Sequence, residues 1–258
     1  MSPAAVALAS LLVAAPTPIP PPEAVGLSPY RFDVLPHALL AVGAFSLTGL
    51  FELVVEPELA GGLRCELPAG ATRCPAGGLN ALDRSVVGND SNTWRRISDV
   101  GMLGTVALAA SASAIEAWAG PSEVPTTDFI NDTLVIAEAA AVSTLITYVL
   151  KIAIQRPRPT HYTEGAPIGG FAQLMSFPSG HTSTTTAVAT AYATTFALRH
   201  PSSPWRFVMY AGAAAVSLLT GYARIGGGRH FYTDVLAGLV VGAASGFLIP
   251  YLHRIPGS

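Results

Sequence analysis

Six apolar runs alternate with shorter polar segments along the chain, at residues 35–56, 97–119, 128–151, 180–198, 205–222 and 233–252. Each comes near the roughly 17–25 residues that a helix rising about 1.5 Å per residue needs to cross some ~30 Å of hydrocarbon. All are rich in Ala, Gly, Ser and Thr rather than uniformly Leu or Ile, which suits helices whose backbones approach one another closely. The pattern predicts an all-α fold, a compact six-transmembrane-helix bundle over residues 35–252. Ahead of it, residues 1–34 hold the apolar stretch Ala4 to Ala15 and the proline cluster Pro16 to Pro22. That stretch ends in small residues like a secretory signal but lacks a positive n-region, which leaves its cleavage open. The longest polar segment, 57–96, reads as an extramembrane loop with a short interfacial helix between Leu79 and Val87.

Composition narrows the class. The 258 residues are 50% apolar and 12% charged, with a mean hydropathy of +0.46, a profile of a polytopic membrane protein rather than a soluble one. A net charge of −2 supplies no basic surface for a polyanion, so no nucleic-acid partner is expected. Cys65 and Cys74 share the 57–96 loop and read either as a disulfide, which implies an oxidising compartment, or as two free thiols. Without a nearby His or further Cys they cannot fill a tetrahedral metal shell. With six crossings, this loop falls on the same face as the connections between runs three and four and between runs five and six. A disulfide would therefore make that face periplasmic or extracellular and the chain before the first crossing cytoplasmic, whereas a cleaved signal would invert the order. Arginines do not decide the matter. Arg31, Arg199, Arg206 and Arg254 on one side are met by Arg64, Arg73, Arg84, Arg95 and Arg96 in the long loop, and long loops are weak determinants.

Three polar stretches at the edges of these runs carry the candidate chemistry. Lys151, the single lysine among fourteen basic residues, opens a segment that continues through Arg156, Pro157, Arg158 and Pro159. The prolines cannot continue a regular helix, so cations gather at the membrane surface, where they serve either as snorkelling anchors or as an anion site. Pro178-Ser179-Gly180-His181 precedes a Thr-rich run. A helix N-terminus there presents backbone N–H groups to an anion, and Gly180 permits close approach; a plain turn with Ser179 as cap is the other reading. In the third stretch Arg224 is followed by three glycines, Arg229, His230 and Asp234. A helix beginning near His230 puts Asp234 one turn later on the same face, able to accept from one imidazole nitrogen and leave the other for attack on phosphorus. An ordinary His–Asp surface pair is the alternative, although an aspartate at the mouth of an apolar helix needs a reason to be there.

In order and spacing, Lys151 to Pro159, Pro178 to His181 and Arg224 to Asp234 resemble the three motifs of the type 2 phosphatidic acid phosphatase (PAP2) superfamily, which includes membrane lipid phosphatases, bacterial acid phosphatases and vanadium haloperoxidases. The resemblance covers 151–234 by motif and most of 35–252 through the six-helix pattern. It implies that Lys151, Arg158, Arg224, Ser179 and the Gly180 amide bind the phosphoryl oxygens, and that Arg158 rather than Arg156 has the matching distance from Lys151. It further implies that His230 is the nucleophile oriented by Asp234, that His181 is the general acid and then base, and that neither a metal nor another cofactor takes part. One departure stands at Ala223, where the family usually has a serine that helps to bind phosphate. The function so implied is an integral-membrane lipid phosphatase, acting on a lipid phosphomonoester or pyrophosphate at the outer face of a bacterial inner membrane. A lipid phosphotransferase with the same phosphohistidine and a non-catalytic lipid-binding protein are the alternatives. A haloperoxidase is disfavoured by the apolar character of the runs. Elsewhere, Glu138 reads as a helix–helix hydrogen-bonding group, Thr182 to Thr186 as packing residues, Gly226 to Gly228 as a tight or mobile loop, and His161 and Glu164 as bystanders.

Overall fold

Among the described residues, each of the six apolar runs lies in one helix. The structure is a computed structural model that describes residues 28–30, 33–50, 65, 73–163 and 175–255. The signal-like stretch, the proline cluster, most of 57–72 and Glu164 lie outside the described residues. The described helices are α1 Val34–Leu50, α2 Ala81–Arg84, α3 Asn92–Ala119, α4 Pro125–Ile154, α5 Gly180–Arg199, α6 Trp205–Gly226 and α7 Tyr232–His253, with 3-10 turns at Ala76–Gly78 and Pro159–Tyr162. Four of them, α3, α4, α6 and α7, are long and apolar enough to cross a membrane, and the chain is an integral membrane protein. This is fewer than the six apolar spans expected. The described part of α1 is apolar but has 17 residues, and α5 is the least apolar of the long helices because it is the central one. It packs on α3, α4, α6 and α7, so threonine and alanine line its buried sides and lipid sees little of it.

Small residues let these backbones meet. Gly238, Gly242 and Gly246 recur one turn apart on α7 and lie against the carbonyls of Ser179, Ser183 and Ala187 on α5. A Cβ at Gly242 would stand 2.4 Å from the Ser183 carbonyl oxygen, with backbone on the other side of the clash. Gly242→Leu is therefore expected to lower the thermal midpoint of the detergent-solubilised protein, by the equivalent of about 1–3 kcal/mol typical of overpacking, and an unchanged midpoint would contradict this packing.

The ends of α4 and α7 carry the polar groups that matter. Pro125 begins α4 where its missing N–H is harmless, and the helix stops at Gln155, whose φ of 47° turns the chain ahead of Pro157 and Pro159. The N-terminus of α5, the C-terminus of α6 and the N-terminus of α7 meet this end of α4 through the contacts described below. Cys65 and Cys74 form a disulfide with a Cα–Cα distance of 5.7 Å, and the Cys74 N–H donates to the His161 carbonyl at 2.9 Å. The cysteine loop thus lies on the motif face, as the order of crossings predicts. Its expected interfacial helix is a single turn, α2, and it is held inward: Cys74 and Val86 share a core with Tyr162, Ile225, Phe231 and Val235. At the other end, Arg199 pairs with Glu116 and Asp132, and the Tyr30 hydroxyl meets Thr195 at 2.8 Å.

Candidate active site

Where α4 ends, Lys151 stays inside: it is 7% exposed and its Nζ donates to the Met175 carbonyl at 2.6 Å. A Cβ on Gly180 would lie 3.9 Å from Lys151 Cε, so the lysine stem runs directly past the start of α5. Ser179 caps that start, fully buried, with its N–H on the Asp234 carbonyl at 3.0 Å and its hydroxyl 2.9 Å from Thr182. The N–H groups of the first turn of α5 have no partners within the helix and face the same end. Arg158, beyond the turn, donates to the Arg229 carbonyl at 3.3 Å.

His230 is also enclosed, 2% exposed, in the short link between α6 and α7. A carbonyl can only accept, so the 2.7 Å contact between His230 Nδ1 and the Ser176 carbonyl oxygen puts the proton on Nδ1 and leaves the Nε2 lone pair unprotonated in the neutral ring. Burial, then the charges of Arg158, Arg224 and Lys151, hold its pKa well below the ordinary value of 6.5. The expected direct bond from His230 to Asp234 is not made. Helix α7 begins at Tyr232, two residues later than expected, and Asp234 Oδ2 stands 3.7 Å from His230 Nδ1. The carboxylate instead accepts from the Ser176 hydroxyl at 2.5 Å, the Phe231 N–H at 2.8 Å and Arg156 at 2.6 Å. It therefore reaches the imidazole through Ser176, whose hydroxyl it holds and whose carbonyl holds the ring.

Arg224, 7% exposed, donates from one terminal nitrogen to Ser98 at 3.1 Å, while its buried Nε has no hydrogen-bond partner. A buried unpaired donor on a cation is costly to leave unmade, about 1–3 kcal/mol or more, and is matched by an anionic ligand. Ala223 is fully buried beside it and offers no hydroxyl. The glycines after Arg224 form a tight loop: a Cβ at Gly228, whose φ is 67°, would fall 1.8 Å from the Asn89 carbonyl oxygen. Asn89 and Arg95 pin this loop at the Ile225 and Gly227 carbonyls.

A family model of the PAP2 superfamily matches residues 132–256. These residues, just under half of the chain, are similar to the PAP2 superfamily. Over 106 residues it is 37% identical to a lipid A 1-phosphatase of Rhizobium johnstonii, covering 39% of each chain. Over 104 residues it is 36% identical to the undecaprenyl-diphosphatase BcrC of Bacillus subtilis, covering 40% of this chain and 49% of that one. The chain thus spans less than half the length of the curated relatives it matches. A crystal structure of a transmembrane PAP2 type phosphatidylglycerolphosphate phosphatase from Bacillus subtilis aligns with 83% of this chain and 96% of its own at 21% identity and a TM-score of 0.49.

Around the PAP2 motifs, the structure adds residues that the motif spacing does not contain. Asp99 of α3 lies 2.9 Å from His181 Nε2 and 3.6 Å from Arg224, so the His181 ring has a carboxylate partner from outside the motifs. An aspartate near the start of an apolar run was the available signal. Asp83 of α2 is fully buried and takes Arg156 at 2.9 Å, the Thr233 N–H at 3.1 Å and the Thr233 hydroxyl at 2.7 Å. Burial opposes ionisation of Asp83, but these bonds outweigh it and hold its pKa below the usual carboxylate value. Arg156 bridges Asp83 and Asp234 and lies 4.2 Å above the Phe231 ring, committed to structure and unavailable as a phosphate ligand. His161 is buried beside the disulfide turn, its carbonyl accepting from the Cys74 N–H.

Proposed function

We propose that the chain is a lipid phosphatase that hydrolyses a phosphomonoester or pyrophosphate of a membrane lipid through a phosphohistidine on His230. The observation that carries this reading is the buried neutral imidazole whose Nδ1 is tied to a carbonyl, leaving Nε2 as nucleophile among three cations. Lys151, Arg158 and Arg224 clamp the phosphoryl oxygens, with Ser179 and the Gly180 amide adding hydrogen bonds, and together they stabilise the charge of the pentavalent transition state. The Nε2–phosphorus bond forms as the phosphorus–oxygen bond to the lipid breaks, and His181 gives its proton to the departing oxygen. Water then attacks phosphorus as His181 takes a proton from it, the nitrogen–phosphorus bond breaks, and inorganic phosphate leaves. Asp234 positions His230, through Ser176. The fixed cations supply the charge stabilisation, and no step calls on a metal.

An apolar groove of about 450 Å³, lined by Leu218, Tyr222, Ile225, Tyr232, Val235 and Leu236, opens beside Thr233 and the start of α7. It supports lateral access for a hydrocarbon tail, and so a lipid over a soluble ester. The names of the relatives point the same way, to lipid A phosphates or a polyprenyl pyrophosphate. The disulfide requires an oxidising compartment, which favours a site on the periplasmic side of a bacterial inner membrane.

Phosphate release from a panel of lipid A, polyprenyl pyrophosphate, phosphatidic acid and phosphatidylglycerol phosphate by purified protein in chelator tests the proposal. Release from at least one is expected; a panel-wide blank would overturn it, and phosphate appearing only on an added acceptor alcohol would make the enzyme a transferase. Because the pKa of His230 lies below 6.5, its neutral form persists as pH falls through that value, so its acid limb in kcat/KM is expected below pH 6.5. Asp99→Asn removes the charge that stabilises protonated His181. It is expected to lower kcat about 10-fold or more and to displace the basic limb of the profile downward, with KM little changed; a lower kcat with an unmoved profile would assign Asp99 a purely structural part.

A further inference from the structure

Glu138 takes no part in the site around His230, yet it is an acidic side chain 5% exposed inside an apolar helix. Such a group needs a compensating positive charge. Two histidines from distant parts of the chain converge on one of its oxygens: His37 Nδ1 of α1 at 3.0 Å and His253 Nε2 at the end of α7 at 3.2 Å. We propose that His37, Glu138 and His253 bind a single first-row transition-metal dication, Zn²⁺ foremost, which ties α1 and α7 to α4.

The geometry favours this over a chance cluster. The three donor atoms lie within 4.8 Å of one another. A tetrahedral zinc with bonds of about 2.0–2.1 Å has donor–donor edges of roughly 3.3 Å, so two of the three edges already match to within a few tenths of an ångström. The rings meet edge to face with centroids 4.7 Å apart, which lets one nitrogen of each point at the same oxygen instead of stacking the rings away from it. Two imidazoles and one carboxylate suit a borderline dication; calcium and magnesium call for more oxygen donors than stand here. Both histidine side chains are 22% exposed while the glutamate is 7%, so an ion has a path in and one coordination position remains for water.

The consequence is mechanical. Helix α1 packs chiefly on α4, and its start lies where α7 ends, at the end of the bundle opposite His230. One ion holding a residue of each would staple three helices, of which α1 otherwise meets α4 in a small buried cluster of Ala41, Ala44 and Ala141. The dication would compensate the buried Glu138 carboxylate without requiring either imidazole to carry a proton, leaving the site with one net positive charge.

The test uses tag-free, full-length protein in detergent, stripped with chelator and then equilibrated with Zn²⁺ or, for spectroscopy, Co²⁺. Uptake of one equivalent of Zn²⁺ per chain, a rise in the thermal midpoint on adding it, and the strong visible absorption of four-coordinate Co²⁺ are expected. His253→Gln and Glu138→Gln should each lose the equivalent, the midpoint rise and the absorption, while melting in chelator with the same cooperative transition as stripped wild type. No stoichiometric uptake by wild type, or equal uptake by wild type and variants through other histidines, would overturn the proposal; because the wild-type Co²⁺ spectrum stands alone, a variant that fails to fold leaves it decidable.

Discussion

His230→Ala is expected to bring lipid phosphate release down to background, a fall on the order of 10⁴-fold or more, with KM for any residual turnover barely altered. The side chain supplies the nucleophile of the first step, and the loss should not be recovered by the His181 ring, which is held 2.9 Å from Asp99 on another helix. Thermal melting separates this loss from unfolding. The ring's hydrogen bond is to the Ser176 carbonyl, and the Asp234 network around Ser176, Phe231 and Arg156 does not depend on it. Matching thermal midpoints for variant and parent, with no phosphate release from the variant, is the expected pair of results.

Arg156→Met should have the largest effect on stability, about 3–5 kcal/mol, the range for stripping one partner from a buried ion pair. Asp83 and Asp234 are both fully enclosed, and Arg156 is the cation both of them share. Its removal leaves two enclosed carboxylates with only neutral hydrogen-bond donors, Thr233 for Asp83 and Ser176 and Phe231 for Asp234. Asp83 is held ionised by this arginine and by Thr233, so the variant should also unfold at a higher pH on acidification than the parent does. In the parent, a depressed Asp83 pKa gives stability that is present above the usual carboxylate value and lost only as pH falls toward the depressed one. The activity should fall along with stability, because Ser176 orients His230 and is itself held by Asp234. Thermal and acid unfolding of the two proteins, followed by intrinsic fluorescence, measure both effects.

Much of this was legible in the chain. Among the described residues the six apolar runs match six helices, since run length and proline positions set where a helix can begin and stop. By length and apolarity alone α5 falls short of a span, because hydropathy measures contact with lipid and this helix is enclosed by its neighbours. Lys151, Ser179, Gly180, Arg224 and His230 do gather at one end, because each motif sits at a helix terminus and terminus order fixes the face. What local spacing cannot encode is the partner from another helix. The His230 tautomer depends on the Ser176 carbonyl, and His181 pairs with Asp99; both contacts arise from tertiary packing. The same holds for the 57–96 loop, which reads as polar surface yet sends Asp83 into the core to hold Arg156. Glu138 reads from the sequence as a helix–helix group, but the two histidines it meets come from the first and last described helices.

The central claim is a covalent phosphoryl group on His230, and trapping it tests the account most directly. Protein mixed with a turnover substrate bearing a labelled phosphate, quenched within milliseconds in alkali to preserve phosphohistidine, should carry label on the peptide containing His230, at a level that rises with substrate and vanishes in His230→Ala. Steady phosphate release with no label on that peptide, or with label on the peptide containing His181, would contradict it.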